Sequence, residues 1–440
     1  LENRTAFVSY LAQFNYTYNA KYSFSGSIRK DGSSRFGANK RYATFLSLGS
    51  SWRMIDEAFM KNQKIFSDFK VRASYGTSGN ADFRDVDELT PLNYASQALY
   101  DYSSSYNGSP ASVPLTIGNL NLTWEKSRQV NVGFDIAFLK GRIRTTIDAY
   151  RRLTTDLLQN VPISSTSGFT TAQRNIGKLE NKGIDFSLST INIQSKIFNW
   201  STDLNITYNT NKVLATFNNQ DIITLPNIIK VGEPVNSWYT REWAGVNPAN
   251  GDPLWIDANG NKTNNASLAK RKVFGTPYPK YTIGFNNTLS YMNFSLSFMF
   301  YGVTGNTIWN ATKQSYDADG ARFGTNYSVD AGKNFWTTPG QIADRPKPIP
   351  GGNRNSLANS SRYYEDGSYL RLRNITLSYA LPKNMFNKIG LSNARVYVTG
   401  VNLLTITKYT GVDPETAVDG QEFYKYPVSK SITVGVDVSF

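Results

Sequence analysis

The sequence predicts an all-β protein: a transmembrane antiparallel β-barrel of which about thirteen strands are present. Apolar and polar residues alternate along many segments, and the connections between these segments alternate in length. Only 18% of the 440 residues are charged, yet the mean hydropathy is −0.41, because Ser, Thr, Asn and Gly supply the polarity. Aromatic residues reach 14%. Long strands that are wet on one face and apolar on the other have this composition.

The alternation is clearest at the two ends of the chain. In 6–18 apolar and aromatic residues take the even positions, and a tight turn at 19–21 leads into a second strand. In 431–440 valines at every second position alternate with small polar residues. We expect the valines to face lipid and the polar residues to face a wet or protein-filled lumen. Phe440 is expected at the membrane interface, where an aromatic ring is favoured.

The same pattern predicts eleven further strands between these ends. A soluble β-sandwich is the alternative, because half-buried antiparallel sheets also alternate. The barrel is favoured because the predicted strands reach about ten residues, whereas soluble strands cluster near 5–6. The predicted strands are 22–28, 41–53, 67–77, 128–139, 141–153, 180–191, 197–211, 280–291, 293–302, 368–381 and 394–404.

Short and long connections alternate along the chain. Three are very long, at about 78–127, 212–279 and 303–367. Short turns on one rim and long loops on the other are typical of outer-membrane barrels, in which the long loops are extracellular. Thirteen strands cannot close an antiparallel barrel alone, because the first and last would run in the same direction. We therefore expect 1–440 to be the carboxyl-terminal part of a larger barrel, with the amino-terminal part supplied upstream or by another chain and no plug domain in these residues.

The composition excludes several classes of function. The chain has no His and no Cys, so it cannot form a Ser-His-Asp triad, a papain-like dyad, an HExxH zinc site or a thiolate metal site. We predict no enzyme, no cofactor and no metal site. The net charge is +14, but the basic residues are scattered without a nucleic-acid-binding motif. Outer-membrane lipid and lipopolysaccharide are sufficient partners for this charge, and no apolar stretch is long enough for a spanning helix.

Three short motifs have a structural and a functional interpretation. Asp31-Gly32 predicts a tight turn rather than a ligand site. Arg371 and Arg373 lie two apart on one predicted strand, which suggests a luminal charge ladder with Asp148 or Asp185. The acidic residues of 413–415, with Asp419, suggest either calcium binding or a solvated loop. The solvated loop is favoured because no EF-hand spacing is present.

Five tryptophans fall in the long loops. Exposed rings of this kind bind sugars or peptides by stacking and desolvation. They also pack loops against each other or against a partner protein, and protein contact is the favoured interpretation because aromatic residues are enriched at interfaces. The candidate binding residues are Trp238, Trp243, Trp255, Trp309 and Trp336.

Several blocks resemble, in order, those of the carboxyl half of SusC/RagA-family TonB-dependent outer-membrane transporters of Bacteroidota. They are SIRKDGSSRFG (27–37), KVRASYGTSGN (70–80), STSGFTTAQRNIGKLENKGID (165–185), TPYPKYTIGFNNTLSY (276–291), EDGSYLRLRNITLSYALP (365–382) and VTGVNLLTITKYTGVDPE (398–415). The resemblance implies a 22-stranded barrel closed by an amino-terminal plug, capped by a SusD-like lipoprotein and energised through TonB.

Such transporters import oligosaccharides or oligopeptides across the outer membrane. A barrel that serves as a structural subunit of an outer-membrane assembly or secretion complex, without transport, is the alternative. A soluble sugar-binding β protein ranks last.

Overall fold

The computed structural model describes residues 4–82, 93–322, 324, 326–382, 385, 391–415 and 419–440. Thirteen long strands hydrogen-bond in sequence order into one antiparallel sheet, which confirms the predicted number of strands. The strands are β1 (Phe7–Tyr18), β2 (Tyr22–Ser33), β3 (Tyr42–Arg53), β4 (Phe66–Asn80), β5 (Glu125–Phe138), β6 (Ile143–Pro162), β7 (Thr171–Gln194), β8 (Phe198–Ala215), β9 (Tyr281–Tyr291), β10 (Phe294–Thr304), β11 (Tyr369–Ala380), β12 (Asn393–Thr407) and β13 (Ser431–Ser439).

Tight turns join four of the strand pairs on one rim, whereas the connections 54–65 and 381–392 on the same rim are longer. Asn19 and Ala20, between β1 and β2, have φ of 49° and 56°, and Met292, between β9 and β10, has φ of 51°. Left-handed residues at these positions match the turn to the twist of the flanking strands. The longest connections lie on the other rim, where the two exceptions are 34–41, between β2 and β3, and 163–170, between β6 and β7. The alternation expected of an outer-membrane barrel is therefore present.

The valine face of β13 is exposed. Ile432 and Val434 are 70% and 69% exposed, so no second sheet covers them. Cross-strand pairing places Val434 opposite Val398, which in turn lies opposite Leu377. The apolar face is therefore continuous across β11, β12 and β13, as expected for a surface that contacts lipid.

One compact unit comprises Leu1–Leu188, Asn209–Asp221 and Lys230–Glu233. Its buried centre is Trp124, whose ring centroid lies 4.6 Å from that of Phe36 and 5.7 Å from that of Phe45. The indole Nε1 of Trp124 donates a hydrogen bond to the Arg41 carbonyl at 3.0 Å. Short elements of this unit are Leu99–Asp101, Ser105–Tyr106, Ser109–Pro110 and Val113–Thr116, and the 3₁₀ turns Met54–Asp56, Ala58–Met60, Leu139–Gly141, Ser165–Ser167 and Phe217–Asn219.

The other unit comprises Ser189–Tyr208, Ile222–Ile229 and Pro234–Phe440. Its long connections fold into three small sheets, one short helix (Ala311–Tyr316) and one 3₁₀ turn (Ser361–Tyr363). We call these connections, 222–229, 234–280, 305–368 and 408–430, the loop layer. Its strands are Ile222–Thr224, Asn227–Ile229, Ser237–Arg241, Trp243–Val246, Pro253–Ile256, Lys262–Thr263, Arg271–Val273, Thr307–Asn310, Tyr364–Asp366 and Gln421–Glu422. No helix among the described residues has the length and hydropathy needed to cross a membrane.

The structure corrects two expectations about local elements. Asp31 and Gly32 lie inside β2 rather than in a turn. Gly32 has extended backbone, and a Cβ there would lie 2.5 Å from the ring of Tyr42, so close packing explains this glycine. Strands β6 and β7 have 20 and 24 residues and continue well beyond the predicted segments 141–153 and 180–191.

Candidate functional site

The polar face of the first unit carries an ion-pair network across three strands. Arg72 on β4 donates from Nε to Asp135 Oδ2 on β5 at 2.8 Å, and from Nη2 to Asp148 Oδ2 on β6 at 3.0 Å. Gly133 lies between them, where a Cβ would be 2.2 Å from Asp148 Oδ1 and 2.8 Å from Arg72 Nη2. The missing side chain at Gly133 therefore lets Arg72 and Asp148 meet.

The same polar face forms a concavity of about 380 Å³. Hydroxyl and amide groups surround the cations Lys70 and Arg72, so the wall offers many uncharged hydrogen-bonding groups to water or to a polar occupant. The polar side chains of the lining are Asn15, Thr17, Ser23, Ser25, Ser50, Ser51, Ser74 and Asn131.

Arg371 has partners that the sequence interpretation did not identify. Its Nη2 lies 2.6 Å from Asp413 Oδ1, and its Nη1 lies 2.6 Å from Glu415 Oε2. Arg373 Nη2 lies 2.6 Å from Glu415 Oε1. The proposed ladder with Asp148 or Asp185 is wrong for Asp148, since Arg72 is the partner of Asp148. The carboxylates that pair with both arginines come instead from the loop after β12.

Asp413 is buried, so the expectation of a solvated loop is wrong at this residue. Its Oδ1 also accepts from the Glu415 N–H at 2.8 Å, and its Oδ2 accepts from the Val428 N–H at 3.0 Å. Burial alone would raise the pKa of Asp413, but these backbone hydrogen bonds and the Arg371 guanidinium hold this pKa below its usual value of 3.8. Among the described residues, no cluster of three or more carboxylates is arranged to hold a metal ion.

Trp238 and Trp309 join separate connections of the loop layer. Trp238 is buried and donates from Nε1 to the Thr307 carbonyl at 2.8 Å. Its ring meets that of Tyr364 edge-on at 5.4 Å. Trp309 is half-buried, stacks on Tyr364 at 6.1 Å and donates to Gln314 Oε1 at 3.0 Å.

The other three loop tryptophans form three further contacts. Trp255 is 0% exposed and meets the half-buried Trp243 edge-on at 5.6 Å. The Arg362 guanidinium lies 5.0 Å above the Trp243 ring. Trp336 is 6% exposed and donates from Nε1 to the Pro248 carbonyl at 2.9 Å. In this structure the rings hold the loops together, and a role in binding cargo or a partner protein stays a prediction.

The structure contains an apolar cavity that the sequence interpretation missed. It lies in the connection 305–368 and has a volume of about 550 Å³. We call it the loop cavity. No regular spacing marks its lining, which is drawn from irregular, Gly- and Pro-rich segments and includes Arg322, Tyr327, Phe335, Pro348, Ile349 and Pro350.

Phe440 is 89% exposed, and its place at a membrane interface stays a prediction.

A family model described as TonB dependent receptor-like, β-barrel matches residues 2–403. The chain belongs to this family. The TonB-dependent receptor P3 of Formosa agariphila is 34% identical over 100% of this chain and 46% of its own length. SusC of Bacteroides thetaiotaomicron is 30% identical over 99% of this chain and 44% of its own length. This TonB-dependent receptor-like chain therefore spans about half the length of the curated relatives it matches.

Solved structures agree with this assignment and confirm the resemblance to SusC/RagA proteins. The RagAB peptide transporter is 32% identical and superposes with a TM-score of 0.86 over 99% of this chain and 48% of that chain. The RagAB peptide importer in the open-open state is 30% identical, also with a TM-score of 0.86, over 99% of this chain and 47% of that chain. Members of this family are outer-membrane β-barrel proteins, and the relatives named here are receptors and transporters rather than enzymes.

Proposed function

We propose that this barrel is part of a SusC-like outer-membrane transporter that imports oligosaccharides or oligopeptides. A SusD-like lipoprotein caps it, and TonB supplies the energy through an amino-terminal region outside these residues. The observation that carries the proposal is the superposition on the RagAB peptide transporter over 99% of the chain with a TM-score of 0.86. Residues 1–440 then form the carboxyl-terminal part of the barrel, without a plug domain.

The two faces of the sheet support this proposal. The apolar face of β11 to β13 suits contact with outer-membrane lipid and lipopolysaccharide, and Phe440 suits the membrane interface. In the first unit, one face of the strands carries hydroxyls, amides and the Arg72 network, which suit a wet or protein-filled lumen. The loop layer contains the five tryptophans. Because its long connections would be extracellular, a lipoprotein lid and the cargo would meet the barrel there.

Uptake by the full-length protein tests the proposal. In its native host, deletion of the full gene should abolish growth on one class of oligomer, either oligopeptides or oligosaccharides, as the limiting nutrient. Deletion of TonB should have the same effect, and affinity purification from the outer membrane should recover one lipoprotein in near-equal amount. Normal uptake together with a defect in envelope assembly or secretion would instead support a structural subunit without transport.

A further inference from the structure

We propose that the loop cavity binds an apolar side chain of an oligopeptide cargo. This inference rests on the proposed function and deepens it, since it selects oligopeptides over oligosaccharides. The cavity volume of about 550 Å³ falls within the range of small-ligand sites. Its walls are the rings of Tyr327 and Phe335, the side chain of Ile349 and the prolines on either side of it.

Backbone hydrogen bonds join the segments that form the cavity wall. The Ile349 N–H donates to the Asp319 carbonyl at 3.1 Å, and the Gly351 N–H donates to the Gly320 carbonyl at 3.0 Å. A Cβ at Gly320 would lie 2.2 Å from the Ile349 carbonyl oxygen, so this close approach requires glycine. Arg362 holds the carboxylate of the lining residue Asp319 in an ion pair whose side chains are 7% and 3% exposed. Segments that these contacts already join lose less conformational entropy on binding than separate segments would.

The lining is unsuited to a sugar. Most carbons of a sugar carry a hydroxyl group, and a hydroxyl that enters an apolar cavity without a hydrogen-bond partner weakens binding. The charged side chains of the described lining already have partners, because Asp319 pairs with Arg362 and Arg322 donates to Ser315 Oγ. The tryptophan rings that could stack on a sugar are buried or half-buried in the loop layer.

A side chain fits better than a folded partner surface. Protein interfaces are broad and bury about 800 Å² on each partner, whereas this site is a concave cavity of small-ligand size. A Phe or Leu side chain on an extended peptide can enter such a cavity while the peptide backbone stays hydrated. The loop cavity therefore selects peptides that carry an apolar side chain.

Binding of three defined compounds to the purified full-length transporter, in complex with its lipoprotein, tests the inference. The compounds are Gly-Gly-Phe-Gly-Gly, Gly-Gly-Ser-Gly-Gly and maltopentaose, each measured by calorimetry. Burial of the Phe side chain should make the first peptide bind at least about tenfold more tightly than the second. Equal affinity for the two peptides, or tightest binding of maltopentaose, would overturn the inference.

Three variants locate the site. Ala331→Trp fills the cavity, Ile349→Asn makes its wall polar, and Ile342→Asn is the control because Ile342 is 93% exposed on the same connection and does not line the cavity. The first two should reduce the Phe-over-Ser preference below about threefold, and the control should keep it. Retention of the preference in Ala331→Trp would place the binding elsewhere. Barrel folding is checked for each variant by heat-dependent mobility in electrophoresis.

The two proposals fail in distinguishable ways. If the preference depends on the cavity but the host shows no TonB-dependent uptake, the transport function is wrong and the cavity assignment stands. If uptake is TonB-dependent but only oligosaccharides are transported and bound, transport stands and the cavity assignment is wrong.

Discussion

Arg371 and Asp413 join β11 to the loop after β12 through a 2.6 Å ion pair in which the two side chains are 2% and 10% exposed. A charge buried this deeply needs its partner, because desolvation is not recovered otherwise. Arg371→Met leaves Asp413 buried without its cation, so we expect the variant to lose about 3–5 kcal/mol of stability. Arg395→Met is the control, since Arg395 and Asp437 are 49% and 52% exposed and their pair should contribute at most about 1 kcal/mol. Urea unfolding of both variants in detergent measures the difference, and equal losses would contradict the prediction.

The same pair predicts a pH dependence. The pKa of Asp413 is below 3.8 in the folded protein, so its contribution to stability is fully present above pH 3.8 and is lost as the pH falls through the folded pKa. The difference in urea midpoint between wild type and Asp413→Asn should therefore be constant from about pH 6 to about pH 4 and should shrink below that. A difference that shrinks on going from about pH 6 to about pH 5 would refute the assignment.

Gly133 is predicted to be intolerant of any side chain. Gly133→Ala places a methyl group 2.2 Å from Asp148 Oδ1, so the Arg72 network must move, at a cost of about 1–3 kcal/mol. Gly76→Ala is the matched control on neighbouring β4, because its Cβ would meet nothing closer than 4.0 Å. Unfolding midpoints of the two variants compare them directly, and equal midpoints would show that the network adapts without cost.

The orientation of β13 is open to test by lysine substitution. Val434→Lys places a charge on the apolar face and should destabilise the full-length barrel in bilayers by about 2–4 kcal/mol if it lies near the membrane midplane. Thr433→Lys, on the adjacent residue and the opposite face, should cost much less because its ammonium group reaches water. Unfolding in phospholipid vesicles measures both, and a larger cost at Thr433 would reverse the assignment of the faces.

Trp255 is predicted to stabilise the part of the loop layer around the Pro253–Ile256 strand. Trp255→Ala removes a fully buried ring and should cost about 3–5 kcal/mol locally. The readout is hydrogen exchange of the Pro253–Ile256 strand, because a loop can open without unfolding the barrel. Ile342→Ala, at a 93% exposed residue, should leave this exchange unchanged. Unchanged protection in Trp255→Ala would mean that the backbone pairing alone is sufficient.

The sequence was informative wherever structure depends on neighbours along the chain. The period of two predicted thirteen strands, and the turns at Asn19 and Met292 followed from the points where this period reverses. The alternation of apolar and polar residues is uninformative where polar residues occupy both faces of a strand. The sequence prediction therefore missed the ends of β6 and β7. At Asp31-Gly32 a turn-forming dipeptide occurs inside a strand because Gly32 packs against Tyr42.

Contacts between distant segments could not be predicted in the same way. Arg371 and Asp413 are 42 residues apart, and their meeting depends on the path of the loop after β12. The tryptophans were found by composition, but their burial depends on how separate connections pack, and the loop cavity has no periodic signal at all. Local patterning therefore accounts for the sheet, whereas the candidate sites depend on loop geometry that alternation does not encode.

The hydrogen bonds of Trp238 to Thr307 and of Trp336 to Pro248 run in opposite directions between the same two connections. A third link, from the Trp309 N–H to the Gly420 carbonyl at 3.0 Å, ties in the loop before β13. No one of these connections can swing outward alone without breaking contacts to another. These hydrogen bonds therefore favour joint movement of all three connections over the movement of any one of them.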